Sequence, residues 1–152
     1  MEIYDSLLGA VCDEYDRVTL IKKSERGEVT LIRHRASGNR YIFRHFSGSS
    51  EVYRKLLTVS CPNLPQIMEV GEKEGKTALL EEYVQGDTLG EILQGGLLTA
   101  AQAKQITRQL CMALWVLHSL GVVHRDVKPD NVIIRGTEAV LIDFDASRIY
   151  KN

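Results

Sequence analysis

The sequence predicts an α+β fold: five antiparallel strands interrupted by one helix, followed by a mainly helical second half. Three observations carry this. Up to about Tyr83, apolar and β-branched residues fall in short runs separated by Gly, Ser, Asn and Pro. Beyond it stand two hydroxyl-x-x-Glu/Gln boxes, starting at Thr88 and Thr99. After the second box, apolar residues recur at helical spacing.

From the N-terminus, Arg17 to Lys23 and Glu28 to Arg35 read as strands joined by the turn Ser24-Glu25-Arg26-Gly27. Ser37-Gly38-Asn39 marks a second turn before the strand Arg40 to Phe46. The polar passage Ser47 to Ser50 opens a helical segment from Glu51 to Val59. Pro62 and Pro65 end it, since proline lacks an N–H and disfavours helix in the residue before it. Two further strands follow, Gln66 to Val70 and Lys76 to Tyr83, joined across Gly71 to Gly75. In the second half, Thr88 with Glu91 and Thr99 with Gln102 can each satisfy two backbone donors of a helix start. The first of these helices stops at Gly95-Gly96. In the second, Ala103, Ile106, Leu110, Ala113, Leu114 and Leu117 share one face, and Gly121 suits the left-handed residue past its end. No internal repeat or low-complexity tract is present.

At 152 residues and 44% hydrophobic content the chain can bury a core, as one or two small domains. A net charge of −1, with both signs interspersed, argues against a nucleic-acid partner. Cys12, Cys61 and Cys111 form an odd set without CxxC spacing, which predicts reduced thiols. Cys111, in an apolar helical stretch, is expected in the core. Met1 to Asp16 reads as an N-terminal extension; it carries acids and lacks the basic start and long apolar run of a leader peptide. No window approaches the ~18 consecutive apolar residues of a membrane span, so a cytoplasmic location is expected.

The chemistry is concentrated near the C-terminus. The chain reads His124-Arg125-Asp126-Val127-Lys128-Pro129-Asp130-Asn131, and twelve residues past Asn131 comes Asp143-Phe144-Asp145. A strand-like run, Ala139 to Ile142, leads into the second motif. Two carboxylates, an amide and a lysine are thus carried on two loops flanking a short β-hairpin. Phosphoryl transfer from a magnesium nucleotide needs such a set: a group to orient the attacking hydroxyl, oxygens for Mg²⁺, and a cation over the moving phosphate.

These motifs resemble those of the eukaryotic-like (bacterial-type) serine/threonine protein kinases, from about Arg17 to Arg148. Lys128, two residues after the loop aspartate, is similar to the serine/threonine branch and unlike small-molecule phosphotransferases. The resemblance implies a protein-kinase-like fold, with an N-lobe and hinge over residues 17–84 and a partial C-lobe over 85–152. It implies ATP and Mg²⁺ as cofactors. Asp126 becomes the catalytic base, Lys128 the neutralising cation, and Asn131 and Asp143 the metal ligands. His124 would shape the loop, and Arg125 would pair with a phosphorylated residue of the activation segment.

The resemblance also assigns nucleotide contacts, with departures. In the glycine-rich lid, Lys22 and Ser24 occupy the first two glycine positions; Gly27 and Val29 keep the pattern, although Gly27 is equally a hairpin glycine. Val29 would pack on the adenine. Arg44 stands where the family has the lysine that bridges phosphates and a helix glutamate, and its planar fork is bulkier than an ammonium. Lys22 or Lys23 is an alternative source of that charge. Ile42 replaces a small residue at the adenine roof. Glu51 is the acid of the helical segment, either reaching Arg44 or facing solvent as a first-turn acid. The backbone of Glu82 and Val84 would hold the adenine edge, Asp87 or Thr88 would reach the ribose, and Ile133 would floor the pocket. Glu81 takes a place where an apolar residue is usual; it needs a partner, and Arg44 is a candidate. Asp145 replaces a glycine after the metal aspartate, removing backbone freedom there.

The resemblance leads to a serine/threonine protein kinase, or its ATP-binding portion, acting on a protein substrate that the sequence does not identify. The alternative is a pseudokinase, a nucleotide-binding or scaffolding module, which Arg44, Ile42, Lys22 and Ser24 favour. The activation segment and the helices seating a protein substrate are absent from these 152 residues, so the chain is expected to be a truncated kinase domain. Self-association through an apolar C-lobe surface is then expected.

Overall fold

The alternating runs of the first half build one twisted sheet, and the structure, a computed structural model, describes it within residues 2–150. The chain divides into two compact units. One runs to Val59 and resumes over Gln66–Tyr83; the other comprises Ser60–Pro65 and the chain from Val84 onward.

In the first unit, helix α1 (Ile3–Glu14) leads directly into strand β1 (Tyr15–Lys23), followed by β2 (Gly27–His34) and β3 (Arg40–Ser47). Helix α2 (Glu51–Leu56) comes next, then β4 (Ile67–Lys73) and β5 (Lys76–Glu82). The five strands are antiparallel in the order β1-β2-β3-β5-β4. Successive side chains of a strand point to opposite faces, which divides β3 cleanly. Phe43 packs with Tyr4, Leu7 and Val11 of α1, joined by Ile32, Ala78 and Leu80. Tyr4, Leu7 and Val11 recur at helical spacing, so α1 presents one apolar stripe to the sheet. Its edge is fixed by Tyr4 and His45 (Oη to Nε2, 2.8 Å) and by Lys73 with Asp5 (2.8 Å).

The stretch read as an N-terminal extension, residues 1–16, carries α1 and the opening of β1, giving the unit a second helix. Two expectations change here. The helix from Glu51 is shorter than the span to Val59 and ends at Leu56. Strand β4 continues through Gly71 to Lys73, and only Glu74 and Gly75, both at positive φ, form the turn. Gly71 pairs with Ala78 within the sheet, and a Cβ on it would collide with the backbone of Ile3 and Tyr4. Its glycine permits close approach of a helix, not a turn.

The second unit contains β6 (Asp87–Thr88), α3 (Leu89–Gln94), α4 (Ala100–Ser119) and β7 (Val122–Val123). A 3-10 turn (Pro129–Asn131), β8 (Val132–Arg135), β9 (Glu138–Leu141) and β10 (Arg148–Ile149) complete it. Both capping boxes form as the sequence predicts, Thr88 with Glu91 and Thr99 with Gln102. Gly121 follows α4 at φ 75°, with its N–H donated to the His118 carbonyl. Of the expected apolar face of α4, Ala113 and Leu117 are fully buried, Ile106, Leu110 and Leu114 half-buried, and Ala103 exposed. Cys111 is exposed, not in the core: it lies two residues from Ala113, across the helix axis. Met112 and Trp115 share its exposure. Strand β8 pairs with both β6 and β9, and β7 pairs with β10. Asn63, in the short stretch between the two prolines, clamps β9: its Nδ2 donates to the Ala139 carbonyl at 2.9 Å, and its own carbonyl accepts from the Leu141 N–H.

Candidate functional site

Strands β8 and β9 bring together the loops that end at Asn131 and begin at Asp143. The Ile142 N–H donates to the Asn131 carbonyl at 2.9 Å, so Asp143 follows directly from a residue tied to the first loop. His124, 1% exposed, makes the second tie. A backbone N–H can only donate and a carbonyl can only accept. Nδ1 of His124 therefore accepts from the Asp126 N–H (3.1 Å), while Nε2 carries the proton donated to the Ile142 carbonyl (2.9 Å). This is the neutral tautomer, and it links the two loops through one ring. Phe144, also buried, meets that ring edge-on with centroids 5.5 Å apart. The Ser147 hydroxyl donates to the His124 carbonyl at 3.1 Å.

On this frame sit the polar groups. Asn131 is buried, and its Nδ2 donates to both the backbone carbonyl (2.9 Å) and Oδ2 (3.0 Å) of Asp126. Two acceptors on one side fix the amide orientation and leave Oδ1 as the oxygen directed away from Asp126. Lys128 Nζ lies 3.7 Å from Asp126 Oδ1, both side chains well exposed. Asp143 holds φ 65°, a left-handed conformation rare outside glycine and better tolerated by Asp than by most residues. Its Oδ1 accepts from the Asp145 N–H at 3.2 Å. Arg125 also has positive φ, 73°. Strain of this kind costs roughly 1–3 kcal/mol per residue and concentrates at functional sites. Asp145 is not among the positive-φ residues, so replacing glycine there imposes no left-handed strain.

In the first unit, Arg44 of β3 lies diagonally across from Glu81 of β5: Arg44 pairs with Leu79 and Glu81 is two residues on, on the same face. Arg44 Nε donates to Glu81 Oε2 at 2.9 Å, with side chains 10% and 3% exposed. Val29 stands opposite Arg44 and Ile42 opposite Glu81, so all four share that face. Glu51 is exposed at the start of α2, its N–H donated to Ser49 Oγ. Gly27 opens β2 against β3, where a Cβ would run into the His45 carbonyl and the Phe46 backbone. The Glu82 N–H donates to the Gln66 carbonyl, and its carboxylate accepts from the Gln66 N–H. In the second unit Val84 is buried, and Ile133 of β8 is half-buried opposite Thr88 of β6.

Comparison with known proteins decides the family: the model of the protein kinase domain matches residues 16–152. The chain belongs to the protein kinase domain family. It is 35% identical over 100 residues to the serine/threonine-protein kinase pkn2 of Myxococcus xanthus, covering 63% of this chain and 12% of that protein. It is 38% identical over 85 residues to serine/threonine-protein kinase D of a Synechocystis strain, covering 55% and 16%. It is also similar to a sperm motility kinase of the mouse (Tcr mutant form), 28% identical over 140 residues, covering 86% and 29%. The chain thus spans less than a third of the length of each of these relatives.

Within a kinase domain, several residues that shape this site carry no sequence motif. The side chains of Ser147 and Asn63 each act through one hydrogen bond to distant backbone, which no local pattern announces. Gly90, inside a capping box, also lies against the exposed Asp130 carboxylate, which would have to shift to admit a Cβ there. No described helix is long and apolar enough to cross a membrane.

Proposed function

We propose that this chain is the ATP-binding and catalytic-loop portion of a serine/threonine protein kinase, which transfers the γ-phosphoryl group of ATP to a protein hydroxyl. The observation that carries this reading is the contact of Asn131 with the Asp126 carboxylate, with Asp143 one residue beyond the backbone tie to Asn131. Residues 17–84 act as the N-lobe and hinge, and residues 85–152 as part of the C-lobe. Free cysteines at 12, 61 and 111 suit a reducing cytoplasmic compartment.

The donor set fits Mg²⁺, a hard cation that takes oxygen ligands. Asn131 Oδ1 and the Asp143 carboxylate would hold it, and when bound it supplies neutralisation of the phosphate charge. The other tasks fall to the chain itself. Asp126, its carboxylate oriented by Asn131, accepts the proton of the attacking hydroxyl. Lys128 is close enough to the same carboxylate to place positive charge beside the transferred group. Arg44, held by Glu81, addresses the phosphates. Gly27 and Val29 cover the nucleotide; Ile42 and Ile133 line its base, and the Glu82 and Val84 backbone holds its edge.

Phosphate transfer from labelled ATP to a generic acceptor protein tests this. Asp126→Asn keeps the Asn131 contact geometry but removes the base, and should slow transfer by about 100-fold or more. Equal rates in the two proteins, with the activation segment and substrate-seating helices of a full kinase domain restored, would reject the kinase reading; this chain by itself is expected to be inactive without them.

A further inference from the structure

We infer that Glu81 is the positioning residue for Arg44, replacing the helix-borne acid to which the resemblance assigns that task. The inference rests on the proposal that Arg44 addresses the nucleotide phosphates. Three features support it. The Nε–Oε2 distance is 2.9 Å and both side chains are buried, so the bond is charge-assisted in a poorly solvated setting. Both residues lie on strands whose register is fixed along their length, β3 and β5 pairing from Tyr41 with Glu82 to Ser47 with Lys76. And Nε is the guanidinium nitrogen nearest the stem, so a carboxylate there fixes the plane of the fork and the direction of its terminal nitrogens. Glu51, by contrast, is exposed at the first turn of a six-residue helix.

Arg44→Ala, Glu81→Gln and the double variant of the full chain test this, by titration of Mg-ATP well below the melting temperature. Arg44→Ala should weaken binding roughly tenfold, the effect of losing one charge-assisted hydrogen bond. Glu81→Gln, isosteric but uncharged, should weaken it by a similar factor in the Arg44 background and by less than about twofold once Arg44 is gone. A purely structural Glu81 would lower the melting temperature of Glu81→Gln and leave its ATP affinity unchanged. That result, alongside weakened Arg44→Ala, overturns the inference while leaving the kinase reading intact. Unchanged affinity in Arg44→Ala overturns the phosphate role of Arg44 and the inference with it. Should Glu81→Gln not fold, Glu81→Asp, which keeps the charge and withdraws it by one methylene, is expected to weaken ATP binding in the same Arg44-dependent way, and unchanged affinity in it overturns the inference.

Discussion

Two charges are taken out of water where Arg44 meets Glu81, and the second oxygen of that carboxylate, Oε1, is buried with no hydrogen-bond partner. Such a pair contributes little net stability against an apolar substitute of both, but removing one partner leaves the other charge buried. Glu81→Leu should therefore cost on the order of 3 kcal/mol in unfolding free energy, measured by denaturant titration. The pair was legible in the sequence as a need: a glutamate among the apolar residues of a strand requires a cation, and Arg44 was one candidate among several on the other runs. His124 presents the opposite situation. Its motif was plain, yet its physical task, donating from Nε2 to one loop and accepting at Nδ1 from the other, follows only from geometry. Replacing it by Phe keeps the ring against Phe144 but leaves the Ile142 carbonyl and the Asp126 N–H without this partner. Each unsatisfied buried group costs roughly 1–3 kcal/mol. His124→Phe should lower the melting temperature and weaken phosphotransfer together.

Helix α1 is legible as a helix in the spacing of Tyr4, Leu7 and Val11, but its partner is not. Hairpins and capping boxes are local, so their residues announce them; the partner of α1 is assembled from β4 and β5, some sixty residues further along the chain, and no local pattern records that. Gly71 illustrates the same limit, since a glycine needed for close helix approach looks the same in sequence as one needed for a turn. Leu7, 3% exposed in the cluster beneath α1, should cost about 2–5 kcal/mol when cut to Ala. The contact also depends on pH. Burial foremost, then the charge of Lys76, lowers the pKa of His45, with Glu28 opposing and Tyr4 bonded to the ring. A histidine whose pKa is depressed in the folded state binds its proton more readily when unfolded. This contribution is complete above its unfolded value, about 6.5, and declines as pH falls below it. Melting temperature should thus drop between pH 7.5 and 5, and His45→Phe should remove that part of the slope.

The chain forms two compact units, and Asp126, Lys128, Asn131 and Asp143, the groups proposed to serve phosphoryl transfer, all belong to the second. Their motifs were readable because the chemistry fixes both residue type and spacing; the buried supports, Ser147 and Asn63, were not, because a single hydrogen bond to distant backbone fixes neither. If the polar groups of the second unit receive magnesium and a triphosphate, binding must stabilise the folded chain by mass action. Asp143→Asn is the suitable variant, since asparagine tolerates the left-handed backbone found there and only the charge is removed. The decisive measurement is the melting temperature with ATP, in the presence and absence of Mg²⁺, for the parent and Asp143→Asn. A rise with ATP that grows with Mg²⁺, the magnesium-dependent part vanishing in the variant, is the expected result. No rise under either condition, or the same magnesium dependence in both proteins, would show that these residues do not hold a metal-bound nucleotide.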